Sequence, residues 1–250
     1  TRYLVLVNLS IFLRFTAMRF LFTSMEEIRT KESSVEVNLQ VIEKPYLLGK
    51  EEQEELVRKC YPLVCQGFVQ EPSDEVFEDT RNHVLNCTYL WLYAEDGELR
   101  VFTTWDHYEF DFGTVLYLGG IMVSPQTQGR GVGGRMTKQA WDLYGGDFLV
   151  AQTQNPVLYS SWLGNGFGIH PNLCGVSSCE AMKAATAVIK ARNWSLTSEE
   201  RPQFRVEAYG KCLYGVRPID RDIRVEEFFC AHLNFDRGDA LVLVAERSEH

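Results

Sequence analysis

The sequence lacks three features that would point to a particular class of protein. It has no CxxC pair, its seven cysteines are scattered and odd in number, and the longest uncharged run near its N-terminus is residues 3–13. Scattered cysteines argue against a disulfide framework and a zinc site, so we expect no metal and reduced, mostly buried thiols. A run of that length is too short to cross a bilayer. These absences favour a cytoplasmic protein without a membrane partner.

The sequence also has fewer basic than acidic residues. The 25 lysines and arginines are outnumbered by 34 aspartates and glutamates, which leaves a net charge of −9. A field of that sign disfavours nucleic acid as a partner and mildly favours a cationic substrate such as an amine. The hydrophobic content of 45% and the charged content of 24% are typical of a globular protein with a sizeable core.

The N-terminal segment, residues 1–24, carries three arginines and no acidic residue. Such a composition is found in targeting segments. Upstream sequence read in frame, with Met18 or Met25 as the start, would look the same, and we favour that interpretation. Residues 1–24 are therefore treated as a non-core segment. Residues 25–250 are expected to form a single domain with an extended C-terminal part, 168–250.

Hydrophobic periodicity predicts a mixture of helices and strands after residue 35. Their order does not alternate strictly, as a doubly wound parallel sheet would require. The pattern predicts strands at 35–41, 88–94, 98–105, 114–123, 148–153, 204–214 and 240–246, and helices at 50–68, 73–85, 132–143, 156–164, 178–191 and 225–232.

Four glycines and two arginines crowd the stretch "VSPQTQGRGVGGRM", residues 123–136. Glycines between a strand and a helix indicate backbone amides that approach a phosphate. Gly129 and Gly134 have the spacing of a P-loop, but Arg135 and Met136 stand where lysine and a magnesium-binding hydroxyl are needed. With Gly131 they also spell GxGxxG, but the next strand, "FLVAQTQN", ends in amides rather than a ribose-binding carboxylate.

The remaining pattern is Q/R-x-x-G-x-G/A, at Gln128, Gly131 and Gly133. It resembles motif A of the GCN5-related N-acetyltransferases, the GNAT superfamily, and Val123 with Pro125 supply the V-x-P that usually precedes it.

A second motif of the same superfamily follows. Counting from Asn155, Leu158 stands at +3, Trp162 at +7, and Gly166 with Phe167 at +11 and +12. The two motifs cover residues 114–167, and the order of the predicted elements extends the resemblance to 35–167.

The resemblance implies a GNAT-like α/β fold: a mixed, mostly antiparallel sheet flanked by helices. Its parallel strands, 114–123 and 148–153, should splay into a V-shaped slot. It implies direct transfer of an acetyl group from acetyl-coenzyme A, the cosubstrate, to a primary amine of a small molecule or peptide. The residues expected to bind the cosubstrate are Met122, Val123, Gln128, Gly129, Arg130, Gly131, Val132, Gly133, Gly134, Arg135, Asn155 and Trp162.

The catalytic residues are harder to assign. Trp162 stands where many relatives have the tyrosine that protonates the departing thiolate, and an indole N–H is a poor acid. We expect Tyr159, one turn earlier, to act as the acid, with water as the alternative. The segment "TWDHYEFDFG" contains the nearest candidate bases, of which we choose Glu109, acting through water, and then His107.

Two other functions stay open. The chain could be a catalytically inactive acyl-coenzyme A-binding sensor or scaffold, which Trp162 and the lack of a glutamate in strand 114–123 favour. A donor with a longer acyl chain is also compatible with the resemblance. The segment 168–250 is expected to build the acceptor pocket or an oligomer surface, such as that of a homodimer.

Overall fold

The computed structural model describes residues 4–6 and 36–247. Within them, strands and helices follow closely the pattern of apolar residues, and a short 3-10 helix lies at Pro45–Leu47. The strands are β1 (Leu4–Leu6), β2 (Val37–Glu43), β3 (Tyr89–Glu95), β4 (Glu98–Phe110), β5 (Gly113–Val123), β6 (Phe148–Thr153), β7 (Gly168–His170), β8 (Phe204–Arg205) and β9 (Ala240–Glu246). The helices are α1 (Lys50–Phe68), α2 (Asp74–Leu85), α3 (Val132–Tyr144), α4 (Pro156–Gly164), α5 (Cys179–Ala191) and α6 (Ile223–His232).

The strands form one nine-stranded sheet in the order β1-β2-β3-β4-β5-β6-β9-β7, with β8 also paired to β9. Each pairing is antiparallel except that of β5 with β6, which is parallel. This topology confirms the expected mixed, mostly antiparallel fold class. Of the N-terminal segment, Leu4–Leu6 pairs with β2, while residues 1–3 and 7–24 lie outside the described residues.

Successive side chains of a strand point to opposite faces of the sheet. Both faces of this sheet carry apolar side chains, and helices cover both. Leu116 and Leu118 of β5 point to the face covered by α3, α4 and α6, which we call the α3 face. Val115 and Tyr117 point to the opposite face, the α5 face, which α5 covers at this end of the sheet and α1 and α2 cover at the other. The site described below lies where β5 and β6 separate between these two layers.

Local signals account for most helix ends. Ser73 caps α2 by accepting a hydrogen bond from the Val76 N–H at 3.2 Å, as serine does before a helix. Gly145 ends α3 with a φ of +75°, a conformation in which glycine carries no Cβ penalty.

The predicted strand at 204–214 is wrong over most of its length. Only Phe204–Arg205 pairs with β9, and residues 206–215 run through turns instead. Gly210 in this segment has a φ of +67°. At Gly215 the backbone packs so closely on the carbonyl oxygen of Val69 that a Cβ would collide with it. The periodicity is that of a strand, but docking against the end of α1 determines the conformation.

The seven cysteines are all free thiols. Cys60, Cys65 and Cys87 are buried as expected, and burial raises the pKa of Cys60 and of Cys87 to about 12. The expectation of mostly buried thiols is otherwise wrong, because three cysteines are exposed: Cys174, Cys179 and Cys230.

Across residues 4–6 and 36–247, no helix combines the length and the apolar character needed to span a membrane.

Candidate functional site

The central feature of the site is the separation of β5 from β6. The two strands pair over four residues each, 115–118 with 148–151. β5 then continues to Val123 and β6 to Thr153. The slot between residues 119–123 and 152–153 is the V-shaped opening that the resemblance implied, so this expectation is confirmed.

A β-bulge explains why the strands part at this point. Leu118 of β5 lies opposite Trp105 and Gly120 lies opposite Thr104, so Gly119 is an extra residue. A bulge bends its strand and increases the local twist. A Cβ at Gly119 would lie 2.9 Å from the Thr104 hydroxyl oxygen, so glycine allows the close approach. Beyond this bulge β5 follows β4 and leaves β6.

The edge of β5 that faces the slot can be read from its hydrogen bonds. The Ser124 N–H donates to the Arg100 carbonyl at 2.8 Å, which continues the ladder to β4. Because antiparallel pairs alternate, Met122 also directs its N–H and C=O to β4, whereas Ile121 and Val123 direct theirs to the slot. Met122 and Val123 are both expected to bind the cosubstrate, and of their two N–H groups only that of Val123 is directed to the slot.

The loop before α3 presents a group of unpaired backbone amides. The N–H groups of Gln128 and Arg130 are already bonded within the loop, to the carbonyls of Ser124 at 3.0 Å and Thr127 at 3.3 Å. The first turn of α3 has no side-chain cap, and the first turn of a helix lacks intrahelical acceptors. Within the described part of the chain, five N–H groups here have no backbone acceptor: those of Gly129, Gly131, Val132, Gly133 and Gly134.

The glycines of this loop serve different purposes. Gly131 has a φ of +73° at the start of α3. A Cβ at Gly133 would lie 2.9 Å from the Ile121 side chain of β5, and a Cβ at Gly134 would collide with the Asn165 side chain after α4. Gly133 and Gly134 thus allow α3 to approach its neighbours, and only their N–H groups can face a ligand.

The Arg130 side chain is held by β3 and not aimed at a ligand. Its guanidinium makes a two-pronged bond to the buried Glu95 carboxylate at 2.7 and 2.8 Å, and the Tyr93 hydroxyl donates to the same carboxylate at 2.8 Å. The hydrogen bond from Arg130 holds the pKa of Glu95 below its usual value. The exposed Arg135, which donates to the Arg130 carbonyl at 2.9 Å, is the cation beside the free amides.

Tyr159 does not reach the slot. It is 1% exposed, its hydroxyl donates to the Pro171 carbonyl at 3.0 Å, and its ring packs on Phe228 and Phe229 of α6. Burial raises its pKa to about 12. The structure therefore does not bring the expected acid to the slot, because α6 covers this side of α4 and encloses the hydroxyl.

Glu109, the expected base, also lies away from the slot. It lies opposite Thr114, beyond the closed end of the β5–β6 pair, and it is exposed. The slot begins five residues farther along β5, which corresponds to roughly 15 Å of strand. His107, opposite Leu116, also lies on the closed side of the opening.

Trp162 and Asn155 occupy different positions on α4. Trp162 is fully buried against Phe167, and its indole N–H has no partner in the described residues. Asn155 caps α4 by accepting from the Val157 N–H at 3.0 Å. Burial raises the pKa of Tyr214 from the C-terminal segment, and the nearby Asn155 side chain partly offsets this shift.

We expect Tyr159→Phe to leave kcat unchanged and to lower the free energy of unfolding by about 1–3 kcal/mol, because the buried Pro171 carbonyl loses its donor. Urea denaturation and steady-state thiol release measure the two quantities. Tyr46→Phe, which removes an exposed hydroxyl, is the control and should change neither. A hundredfold drop in kcat with native stability would restore Tyr159 as the acid.

The C-terminal segment supplies residues that the sequence did not single out. Leu213 donates its N–H to the Gln154 side chain at 2.9 Å and accepts from the Gln70 side chain at 2.5 Å, while the Gly215 N–H donates to the Phe68 carbonyl at 2.7 Å. Residues 213–215 therefore tie the end of β6 to the end of α1. No motif announces these contacts, because they depend on the path of the tail.

No protein-family model and no curated protein matches the sequence. Similar solved structures include the ribosomal-protein-S18-alanine N-acetyltransferase from Escherichia coli, at 13% identity over 85% of this chain and 96% of that chain, with a TM-score of 0.38. The IAA acetyltransferase from Bacillus cereus ATCC 14579 is 11% identical over 84% and 99%, with a TM-score of 0.41. A chain of the NatC complex bound to Gag peptide and CoA is 12% identical over 83% of this chain and 99% of that chain, with a TM-score of 0.45. Such likeness concerns the fold and carries no argument about activity.

Proposed function

We propose that this chain is a GCN5-related N-acetyltransferase that moves an acetyl group from acetyl-coenzyme A to a primary amine of a small molecule or peptide. The observation that carries the proposal is the placement of the slot beside the loop of unpaired amides. Strand β5 runs directly from the slot into that loop. One extended ligand could therefore lie along both.

The five unpaired amides of the loop and the first turn of α3 would hold the pyrophosphate of the cosubstrate. A helix N-terminus attracts anions through its free N–H groups and its dipole, without a metal. Within residues 36–247 no cluster of metal-ligating side chains is present, and the fit does not require one. Arg135 would add a positive charge beside the phosphates.

The slot-facing edge of β5 would hold the pantetheine arm as if it were another strand, through Ile121 and Val123. The Val123 N–H would also polarise the thioester carbonyl, which the cosubstrate supplies as an activated acyl group. The amine nitrogen bonds to the acetyl carbon, the C–S bond breaks, and the amine loses a proton while the thiolate gains one. With Tyr159 and Glu109 outside the slot, water would accept and supply these protons.

The rival proposal is an acyl-coenzyme A-binding sensor without catalysis. Two observations favour it: the Tyr159 hydroxyl is enclosed, and Glu109 lies far from the slot. Neither the expected acid nor the expected base therefore reaches the slot.

Calorimetric titration with acetyl-coenzyme A, followed by thiol release with a panel of primary amines, separates these functions. Binding with amine-dependent thiol release supports the acetyltransferase. Binding without release on every amine supports the sensor, and failure to bind acetyl-coenzyme A contradicts both. Longer acyl-coenzyme A donors in the same assay test the chain length.

A further inference from the structure

A cluster of arginines and aromatic residues lies at the point where β5 and β6 separate, on the α5 face. Tyr117 is the third of the four β5 residues paired with β6, and Gln152 follows Ala151, the last paired residue of β6. Both side chains belong to the α5 face, because Val150 does and side chains two apart share a face. The other members come from the C-terminal segment: Arg192, Trp194, Arg205 and Tyr209.

Arg205 is the unusual member because it is a buried cation without a counter-ion. It is 5% exposed, and its guanidinium donates to the Gln152 side-chain oxygen and, at 3.4 Å, to the Ser195 carbonyl. Its guanidinium carbon also lies 4.7 Å from the centre of the Trp194 ring. Within the described residues Arg205 forms no ion pair, and its hydrogen bonds use only Nε and Nη1.

Several other arginines of this chain, half-buried or exposed, do have a carboxylate partner. Arg192 contacts Asp106 at 2.9 Å, and Arg237 contacts Asp239 at 2.6 Å. Arg217 likewise pairs with Glu226. Burying a charge without a partner is unfavourable, and burial lowers the pKa of Arg205. An anion bound at Arg205 would remove that cost. We therefore interpret the unpaired guanidinium of Arg205 as an anion-binding site.

The position of Arg205 relates this anion to the reaction. Its partner Gln152 is the first β6 residue beyond the pairing with β5, and the Tyr209 hydroxyl lies 3.4 Å from the Gln152 carbonyl. Leu116 and Leu118 face α3, which begins at the amide loop, whereas this cluster occupies the opposite face. An acyl group in the slot would thus lie between the amide loop and Arg205.

We propose that the acceptor is an amine that also carries a carboxylate, and that Arg205 binds this carboxylate with help from the Tyr209 hydroxyl. This inference rests on the proposed acetyltransferase function and names its substrate class. A guanidinium matches a carboxylate in shape and charge. A phosphate dianion would need a second uncompensated cation, and Arg192 is already neutralised by Asp106. The unpaired Arg205 therefore favours a carboxylate on the acceptor, in addition to the cationic amine that the net charge of −9 mildly favours.

The test compares amino acids with the amines that remain after their carboxylate is removed. The pairs are L-phenylalanine with phenethylamine, L-methionine with 3-(methylthio)propylamine, and L-lysine with cadaverine. We expect a higher kcat/KM for the amino acid in at least one pair, by roughly tenfold or more, the effect of one charge-assisted hydrogen bond. Turnover of the amines alone would overturn the carboxylate proposal and leave the acetyltransferase standing. Failure to bind acetyl-coenzyme A would contradict the function itself.

Substitutions assign the effect to Arg205. Arg205→Gln should raise KM for the amino acid by roughly 10- to 100-fold, with little change in kcat or in acetyl-coenzyme A affinity. Arg205→Lys keeps the positive charge but loses the two-pronged guanidinium. Its KM for the amino acid should lie between those of wild type and Arg205→Gln. Arg201→Gln, at an exposed arginine over Phe204, is the matched control and should match wild type.

Tyr209→Phe keeps the test decisive if Arg205→Gln does not fold. It removes one hydroxyl from the same cluster and should raise the amino acid KM several-fold while the decarboxylated amine is unaffected. An equal change for both members of a pair would overturn the proposal, because a general loss of structure does not discriminate between them.

Discussion

Gly131→Asp is expected to abolish acetyl-coenzyme A binding, with a loss of affinity of at least roughly 100-fold. Gly131 starts α3 with a φ of +73°, and its own N–H is one of the five unpaired amides that would hold the pyrophosphate. A carboxylate there repels the phosphates in the position where the helix terminus should attract them. A Cβ at this position also lies 3.1 Å from the Arg135 guanidinium, so the new carboxylate would neutralise the nearby cation. Calorimetry gives the affinity.

Two control variants separate charge from backbone strain. Gly131→Asn has the same size, tolerates the left-handed conformation comparably and adds no charge, so it should bind at least tenfold better than Gly131→Asp. Gly97→Asp introduces an aspartate at another positive φ, +79°, where a Cβ meets nothing within 4 Å. It should bind like wild type. Equal affinities for the Asn and Asp variants at position 131 would show that no anion binds at this loop.

The parts of the fold that the sequence predicted are those governed by local rules. Helix α1 begins and ends as predicted, β6 and β9 match residue for residue, and the slot lies between the strands that the motifs indicated. Each of these depends on periodicity, capping or a glycine at a fixed position. The amide loop is of the same kind, because its glycines determine the backbone directly.

The structure does not bring the two expected catalytic side chains to the slot, because their positions depend on which way a side chain faces. Tyr159 and Trp162 were both expected to border the slot, since they are three residues apart on α4. Which flank of a short helix is covered depends on the element packed on it, and α6, some 60 residues later, covers Tyr159. Glu109 depended on register along the β4–β5 hairpin, which places it beyond the closed end of the slot.

Arg205 could not have been found from the sequence. It stands in a segment whose alternation predicts a strand, and an arginine in a strand is usually solvated. Arg205 is significant because no carboxylate of the described residues lies beside it. The absence of a partner is a property of the three-dimensional environment and cannot be read from the sequence. The sequence signal for the site ends at Phe167, whereas the residues proposed to select the acceptor, Arg205 and Tyr209, lie about 40 positions beyond it.

Val123→Pro is expected to lower kcat by roughly 100- to 1000-fold, the usual effect of losing one oxyanion donor. Val123 directs its N–H to the slot, so a proline here removes the proposed donor without breaking the ladder to β4. Acetyl-coenzyme A affinity should fall by less than about tenfold, because the amide loop still holds the pyrophosphate. Single-turnover acetyl transfer and calorimetry measure the two effects separately.

Neighbouring substitutions show whether the missing N–H is the cause. Val123→Ala keeps the N–H and shortens only the side chain, so it should retain kcat within a few-fold. Met122→Pro removes an N–H that is directed to β4 and should lower the free energy of unfolding by about 1–3 kcal/mol more than Val123→Pro does, because the buried Phe102 carbonyl opposite loses its donor. The same kcat for Val123→Pro and Val123→Ala would show that the Val123 N–H does not polarise the thioester carbonyl. The N–H of Ile121, the other residue of β5 that faces the slot, would then be the next to test.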